Sequence, residues 1–99
     1  MADKEYSDSF TIVKSSDGVV RVVSNRLSMQ ILNILSSAPC SLTDLSVKTT
    51  ASKTTVQSNL VILEQMGLIR PHTNKADNRS MIYDRTCDQL YDTEGTDWN

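Results

Sequence analysis

Three short apolar stripes at helical spacing, each preceded by a residue able to cap a helix, constrain this chain more than any other feature. After Ser24-Asn25, the residues Leu27, Ile31, Ile34 and Leu35 fall on one helix face until Ala38-Pro39 stops the run. This predicts a first helix over Arg26 to Ser37. Ser41 can cap a second helix over Leu42 to Lys48, with Asp44 placed three residues on, where its carboxylate can reach back in a capping box. Leu42 and Leu45 supply its buried side. Thr49-Thr50-Ala51-Ser52 is a polar connection, and Ser52 can cap a third helix, Lys53 to Met66, whose inward stripe is Val56, Leu60 and Leu63. Gly67 then fits the left-handed position that ends a helix.

The flanks read as strands. From Phe10 to Val23 most residues are β-branched, interrupted by the turn-forming Ser15-Ser16-Asp17-Gly18, which predicts a short hairpin over 10–23. Beyond Gly67, Leu68-Ile69-Arg70 and Met81-Ile82-Tyr83 enclose a polar stretch from Thr73 to Arg79, which predicts two strands around a basic loop over 68–85. Residues 1–9 and 92–99 are polar and acidic apart from Trp98 and are expected to be frayed tails. The expected fold is mainly α with a small β-sheet. It is a winged helix-turn-helix occupying residues 10–91, a three-helix core plus a β-hairpin wing, with a short β-hairpin in front.

A chain of 99 residues, 38% apolar and 22% charged, has the composition of an ordinary globular protein with room for one core and little room for an enclosed substrate cavity. That weighs against an enzyme. The longest apolar run, Leu60-Val61-Ile62-Leu63, falls far short of the ~20 residues needed to cross a bilayer. The polar N-terminus has no secretory core, so the expected location is the cytoplasm and no membrane partner is expected. Cys40 and Cys87 are too few for a disulfide scaffold and are not spaced as a metal-binding pair, which leaves two reduced thiols or a redox pair as readings. No metal or cofactor is expected.

The net charge of −2 hides an uneven distribution. Residues 48–85 carry six bases (Lys48, Lys53, Arg70, Lys75, Arg79, Arg85) against three acids (Glu64, Asp77, Asp84), whereas residues 86–99 carry four acids and no base. The positive charge therefore lies in the segment that holds the third helix and the wing. Helix, turn, helix and basic hairpin, in that order, form the arrangement that can place a helix in a major groove and a hairpin over neighbouring backbone. Double-stranded DNA is the partner this order points to.

The stretch SLTDLSVKTTASKTTVQSNLVILEQMGLIR resembles the helix-turn-helix of the arsenical-resistance (ArsR) and multiple-antibiotic-resistance (MarR) repressor superfamily, and the likeness extends over about Arg26 to Thr86. Leu45 matches the buried leucine of the second helix, Ser52-Lys53-Thr54-Thr55-Val56 the start of the recognition helix, and Leu63, Gly67, Leu68 and Ile69 its exit into the wing. Asp77-Asn78-Arg79 is similar to the wing of MarR-type repressors, while Val22-Val23-Ser24-Asn25 leading to Leu27 and Ile31-Leu32 is more like archaeal ArsR-type regulators. These residues do not separate the two families. The resemblance implies a DNA-binding transcription regulator acting as a homodimer. The chain departs from the pattern in three ways. Ser58-Asn59 stands where many ArsR-type helices carry Arg-His, Thr43 to Thr49 contains none of the family's metal-binding cysteines, and no dimer-forming helices are visible outside the core.

With Val56, Leu60 and Leu63 inward, Lys53, Thr54, Gln57, Ser58 and Val61 are expected to face outward as base readers. Gln57 can pair bidentately with adenine, Thr54 and Ser58 can bond base edges or phosphate, and Val61 can meet a thymine methyl. Thr43, Ser52, Lys75 and Arg79 are the expected backbone contacts. The bland alternative is a solvated helix face and loop. His72 is read as a surface or wing-base histidine, Asp77 and Arg79 as a local ion pair, and Tyr83 as a core strand residue. Val61-Ile62 is apolar where a helix is usually solvated, which supports a rival reading, a protein-interaction module on the same fold.

Overall fold

The computed structural model describes residues 9–74, 77–95 and 98, with residues 74 and 77–80 described by their backbone only. Its elements are β1 (Thr11–Lys14), β2 (Val20–Val23), α1 (Arg26–Leu35), β3 (Cys40–Ser41), α2 (Leu42–Thr49), α3 (Lys53–Gln65), β4 (Ile69–Asn74), β5 (Asp77–Arg85) and β6 (Asp88–Asp92). Three helices and two small antiparallel sheets make a winged helix-turn-helix, the fold class expected from the sequence.

Local chemistry sets the helix ends. The Asn25 side chain accepts from the Ser28 amide at 2.9 Å and starts α1. The helix closes at Leu35, where the Ser36 and Ser37 amides turn back to Asn33 and Ile34 carbonyls. Ser41 and Asp44 form a complete capping box on α2, with the Asp44 amide on Ser41 Oγ at 3.1 Å and the Ser41 amide on Asp44 Oδ2 at 3.4 Å. At the end of α3, Gly67 has φ +76 and the Gly67 and Leu68 amides reach back to the Glu64 and Leu63 carbonyls. That pair of bonds satisfies carbonyls that the helix itself leaves open.

The helices share one core. Ile31, Leu32, Leu45, Val56, Leu60 and Leu63 are all fully buried, and Leu68 and Tyr83 continue the core into the wing. The wing sheet runs β3-β5-β4. Cys40 lies opposite Tyr83 and Ser41 opposite Ile82, so the strand that enters α2 is bonded to the wing. Ile69 to Thr73 pair with Arg85 to Met81, and the register shifts at Asn74.

The second sheet runs β2-β1-β6. Its hairpin turns through Gly18 at φ +89, with the Ser15 hydroxyl and the Val19 amide on the Asp17 carboxylate. Those bonds, the Ser15 hydroxyl first, hold the Asp17 carboxyl below its ordinary range. The turn leans on the end of α3, where a side chain on Gly67 would meet Ser15 Cβ at 3.5 Å.

The end of the chain differs from the expected tail. Asp92 belongs to β6, which pairs with β1, and the Thr93 and Phe10 backbones are joined by the Thr93 amide and hydroxyl. Trp98 is only 6% exposed; its amide donates to Gln89 Oε1 at 3.3 Å, and the Arg85 guanidinium lies 5.0 Å from its ring centre. Indole burial outweighs the acidic character of the surrounding residues. Of the expected N-terminal tail, residues 1–8 lie outside the described residues, and the Ser9 hydroxyl donates to the Glu94 carboxylate.

Candidate nucleic-acid interface

The turn between α2 and α3 is fixed by hydroxyls. Thr49 Oγ1 donates to the Leu45 carbonyl at 2.7 Å and accepts from the Ala51 amide at 3.3 Å, and Ser46 Oγ donates to the Ala51 carbonyl at 2.6 Å. These bonds hold Thr50 at φ 58, a left-handed conformation that a threonine adopts only at some cost. The turn in that shape sets the angle at which α3 leaves α2. Ser52 then caps α3, accepting from the Thr55 amide at 3.1 Å and donating to Thr55 Oγ1 at 2.9 Å.

Two faces of α3 follow. Val56, Leu60 and Leu63 lock one face into the core, and Lys53, Thr54, Gln57, Ser58 and Val61 are exposed. The hydroxyl of Ser58 donates to the Thr54 carbonyl at 3.1 Å, so toward a ligand it offers lone pairs. Asn59 takes no part in this face. Its Oδ1 accepts from Ser28 Oγ on α1 at 2.7 Å and its Nδ2 donates to the Thr55 carbonyl, so the amide braces α3 against α1. Of the Ser58-Asn59 pair that stands in place of Arg-His, the sequence reading counts only Ser58 among the outward groups and gives Asn59 no contact. A serine on the α1 stripe side, Ser28, was the available signal for the difference.

Thr43 is exposed in the first turn of α2, and Ser52 is exposed with its hydroxyl engaged in the cap. Lys75 and the side chain of Arg79 lie outside the described residues, as do the side chains of Asp77 and Asn78. Arg79 is placed by its backbone in β5. Lys48, Lys53 and Arg70 are exposed bases around the helices, with Asp44 and Glu64 as exposed acids. Val47, Val61 and Ile62 are 72%, 43% and 54% exposed, so α2 and α3 present apolar as well as polar surface.

His72 is part of an interaction that the sequence did not reveal. Its Nε2 lies 2.8 Å from Asp84 Oδ2, across the β4–β5 pair, where Arg70 is the direct partner of Asp84 and His72 its diagonal neighbour. It is a wing-base histidine with a carboxylate partner. Both cysteines are free and buried, and burial pushes the Cys87 thiol up to about 11, which suppresses its thiolate. Among the described residues no group of three or more His, Cys, Asp or Glu side chains could hold a metal ion. No helix among them is long and apolar enough to cross a membrane. A cleft of about 190 Å³ lies between α1 and the β2-β1-β6 sheet, lined in part by Arg26, Met29, Asn33, Asp92 and Trp98, and none of the proposed base readers borders it.

Comparison with known proteins agrees with this geometry. Residues 27–70 match the family model of the bacterial regulatory proteins of the arsR family. Among solved structures, the adhesin competence repressor AdcR from Streptococcus pyogenes superposes with a TM-score of 0.61 at 21% identity, over 63% of this chain and 46% of that one. Lactococcus lactis ZitR, as its C30AH42A mutant, superposes with a TM-score of 0.62 at 21% identity, over 63% of this chain and 42% of that one. The likeness is one of fold, and the chain spans less than half the length of these structures. No curated protein matches the sequence.

Proposed function

Because residues 27–70 carry the helix-turn-helix of arsR-family regulators, we propose that this protein is a DNA-binding transcription regulator that lays α3 in the major groove and its wing on the adjacent backbone. The observation that carries this reading is the split of α3 into a face locked in the core and an exposed face of Lys53, Thr54, Gln57, Ser58 and Val61. Gln57 is the bidentate reader of adenine, Val61 meets a thymine methyl, and Ser58 accepts from a base amino group because its proton is held by the Thr54 carbonyl. Thr54 and Lys53 reach base edge or phosphate at the helix start. Thr43, Ser52, Lys75 and Arg79 serve the backbone, the last two from a MarR-like wing. The regulator works in the cytoplasm, is not an enzyme, and acts as a homodimer with half-sites about 34–36 Å apart.

Gel-shift titration over a range of salt tests the surface. Lys75→Ala and Arg79→Ala are expected to weaken binding to every duplex and each to lower the salt slope by about one; Gln57→Ala is expected to cost ~1–3 kcal/mol at a single base position. Unchanged affinity in all three variants would remove the assigned interface. The exposed Val47, Val61 and Ile62 favour a second reading, a docking module for another protein. Absence of any shift with random duplex at low salt and on the order of tens of micromolar protein would select it.

A further inference from the structure

The outer face of the β2-β1-β6 sheet is apolar where a solvent-facing antiparallel sheet is normally polar. Alternation turns Thr11, Val13, Val23 and Gln89 toward the body, and Ile12, Lys14, Val20, Val22 and Tyr91 away from it. The registers align the outer residues in two rows. Val22, Ile12 and Tyr91 are neighbours across the three strands, and beside them Val20, Lys14 and Asp88 form the second row. Leu90 is the extra residue at the register shift and projects next to Tyr91. Val20, Val22, Leu90 and Tyr91 are 57%, 60%, 53% and 54% exposed, and the Phe10 ring, 6.0 Å from that of Tyr91, extends the upper row.

The residues of this sequence outside the description offer little to cover such a face. Residues 1–8 hold Met1, Ala2 and Tyr6 among three acids and a lysine. A duplex is disfavoured too, because the face presents one base, Lys14, beside Asp88 in the acidic end of the chain.

We propose that this face binds a second copy of the chain in a two-fold dimer. An isologous interface must be complementary to itself, and this one is in both rows. A two-fold axis running along the strands between β1 and β6 sets Lys14 of each copy over Asp88 of its partner and Ile12 over Tyr91, with Val20 and Val22 closing the rim. Two neighbouring strands thus supply opposite charges and matching apolar groups at the same level, as sheets packed in an aligned manner require. The dimer deepens the regulator reading, which calls for two recognition helices, but it is measured without DNA. A chain that dimerises and binds no duplex would overturn the regulator reading and leave this one standing.

Sedimentation equilibrium of the full chain tests the proposal, with circular dichroism to confirm that each variant is folded. The wild-type chain is expected to dimerise, and Tyr91→Lys to raise the dissociation constant at least ~10-fold. Lys14→Glu and Asp88→Lys each place like charges across the axis and are expected to weaken the dimer. An equimolar mixture of these two variants restores opposite charges at both contacts and is expected to associate within about threefold of wild type. A change confined to one chain would show no such rescue. A wild-type monomer at ~100 µM, a dimer indifferent to Tyr91→Lys, or a mixture no tighter than its parts would overturn the proposal.

Discussion

The two three-stranded sheets are both antiparallel, yet they close in opposite ways. The wing sheet takes β4 and β5 from consecutive residues and adds the two-residue β3 just before α2. The other sheet brings β6 back to β1 from the far end of the chain, with Thr11 Oγ1 on a carbonyl eighty residues away. Closing a hairpin costs little chain entropy, whereas a long-range pairing must be supported by packing that the strands themselves do not provide. The wing can therefore be polar and project toward a ligand. The terminal sheet must hold to the body through a few buried groups while leaving its outer face apolar.

Trp98 is the largest of those groups, and its removal is the strongest way to break the contrast. Its ring faces Arg85 at the end of β5 and its backbone amide bonds Gln89 in β6, so one residue joins both sheets, the ring supplying the link to β5. Trp98→Ala is expected to cost ~3–5 kcal/mol in urea unfolding, with amide protection in β6 lost before that in β4 and β5. A cost under ~1 kcal/mol, or protection lost first in the wing, would show that the terminal sheet stands by itself.

Cys87 sharpens the same comparison at the crossing point, since Thr86 and Cys87 are the only residues between β5 and β6. Burial raises the thiol from 9.0 to about 11. Below pH 9 the thiol is protonated in both states and its contribution is complete. Between about 9 and 11 the unfolded chain gives up the proton first, so stability falls as pH rises, by on the order of 2 kcal/mol at the upper end. Urea midpoints measured at about pH 8 and about pH 10.5 should therefore drop further in wild type than in Cys87→Ala. Equal drops would mean that the crossing is open to solvent.

The same division explains what could be read from the residues. The caps at Asn25, Ser41 and Ser52, the stripe of Val56, Leu60 and Leu63, and Gly67 act over a few residues, and each has its expected local partner. The outward face of α3 follows directly from its inward one. β6 was missed because Asp88–Asp92 offers only Leu90 and Tyr91 between acids, and its partner strand lies at the other end of the chain. Trp98 was set aside among polar residues for the same reason. Thr50 in a left-handed turn looks like any polar linker residue until Thr49 and Ser46 fix the backbone around it. Asn59 shows the limit at the site: exposure can be inferred from periodicity, but the choice between facing a ligand and bracing α1 depends on Ser28 across the helix pair.

The His72–Asp84 contact carries the smallest effect and probes the wing alone. It spans β4 and β5 at 2.8 Å, but the two side chains are 40% and 33% exposed, so water screens the pair and limits its value to under ~1 kcal/mol. Asp84→Asn keeps the shape and an acceptor oxygen while removing the charge. The expected result is a loss of that size in urea unfolding, with amide protection reduced in β4 and β5 and unchanged in β1 and β6. A loss above ~2 kcal/mol, or equal deprotection of both sheets, would mean that the wing and the terminal sheet unfold as one unit and that their different closures have no energetic consequence.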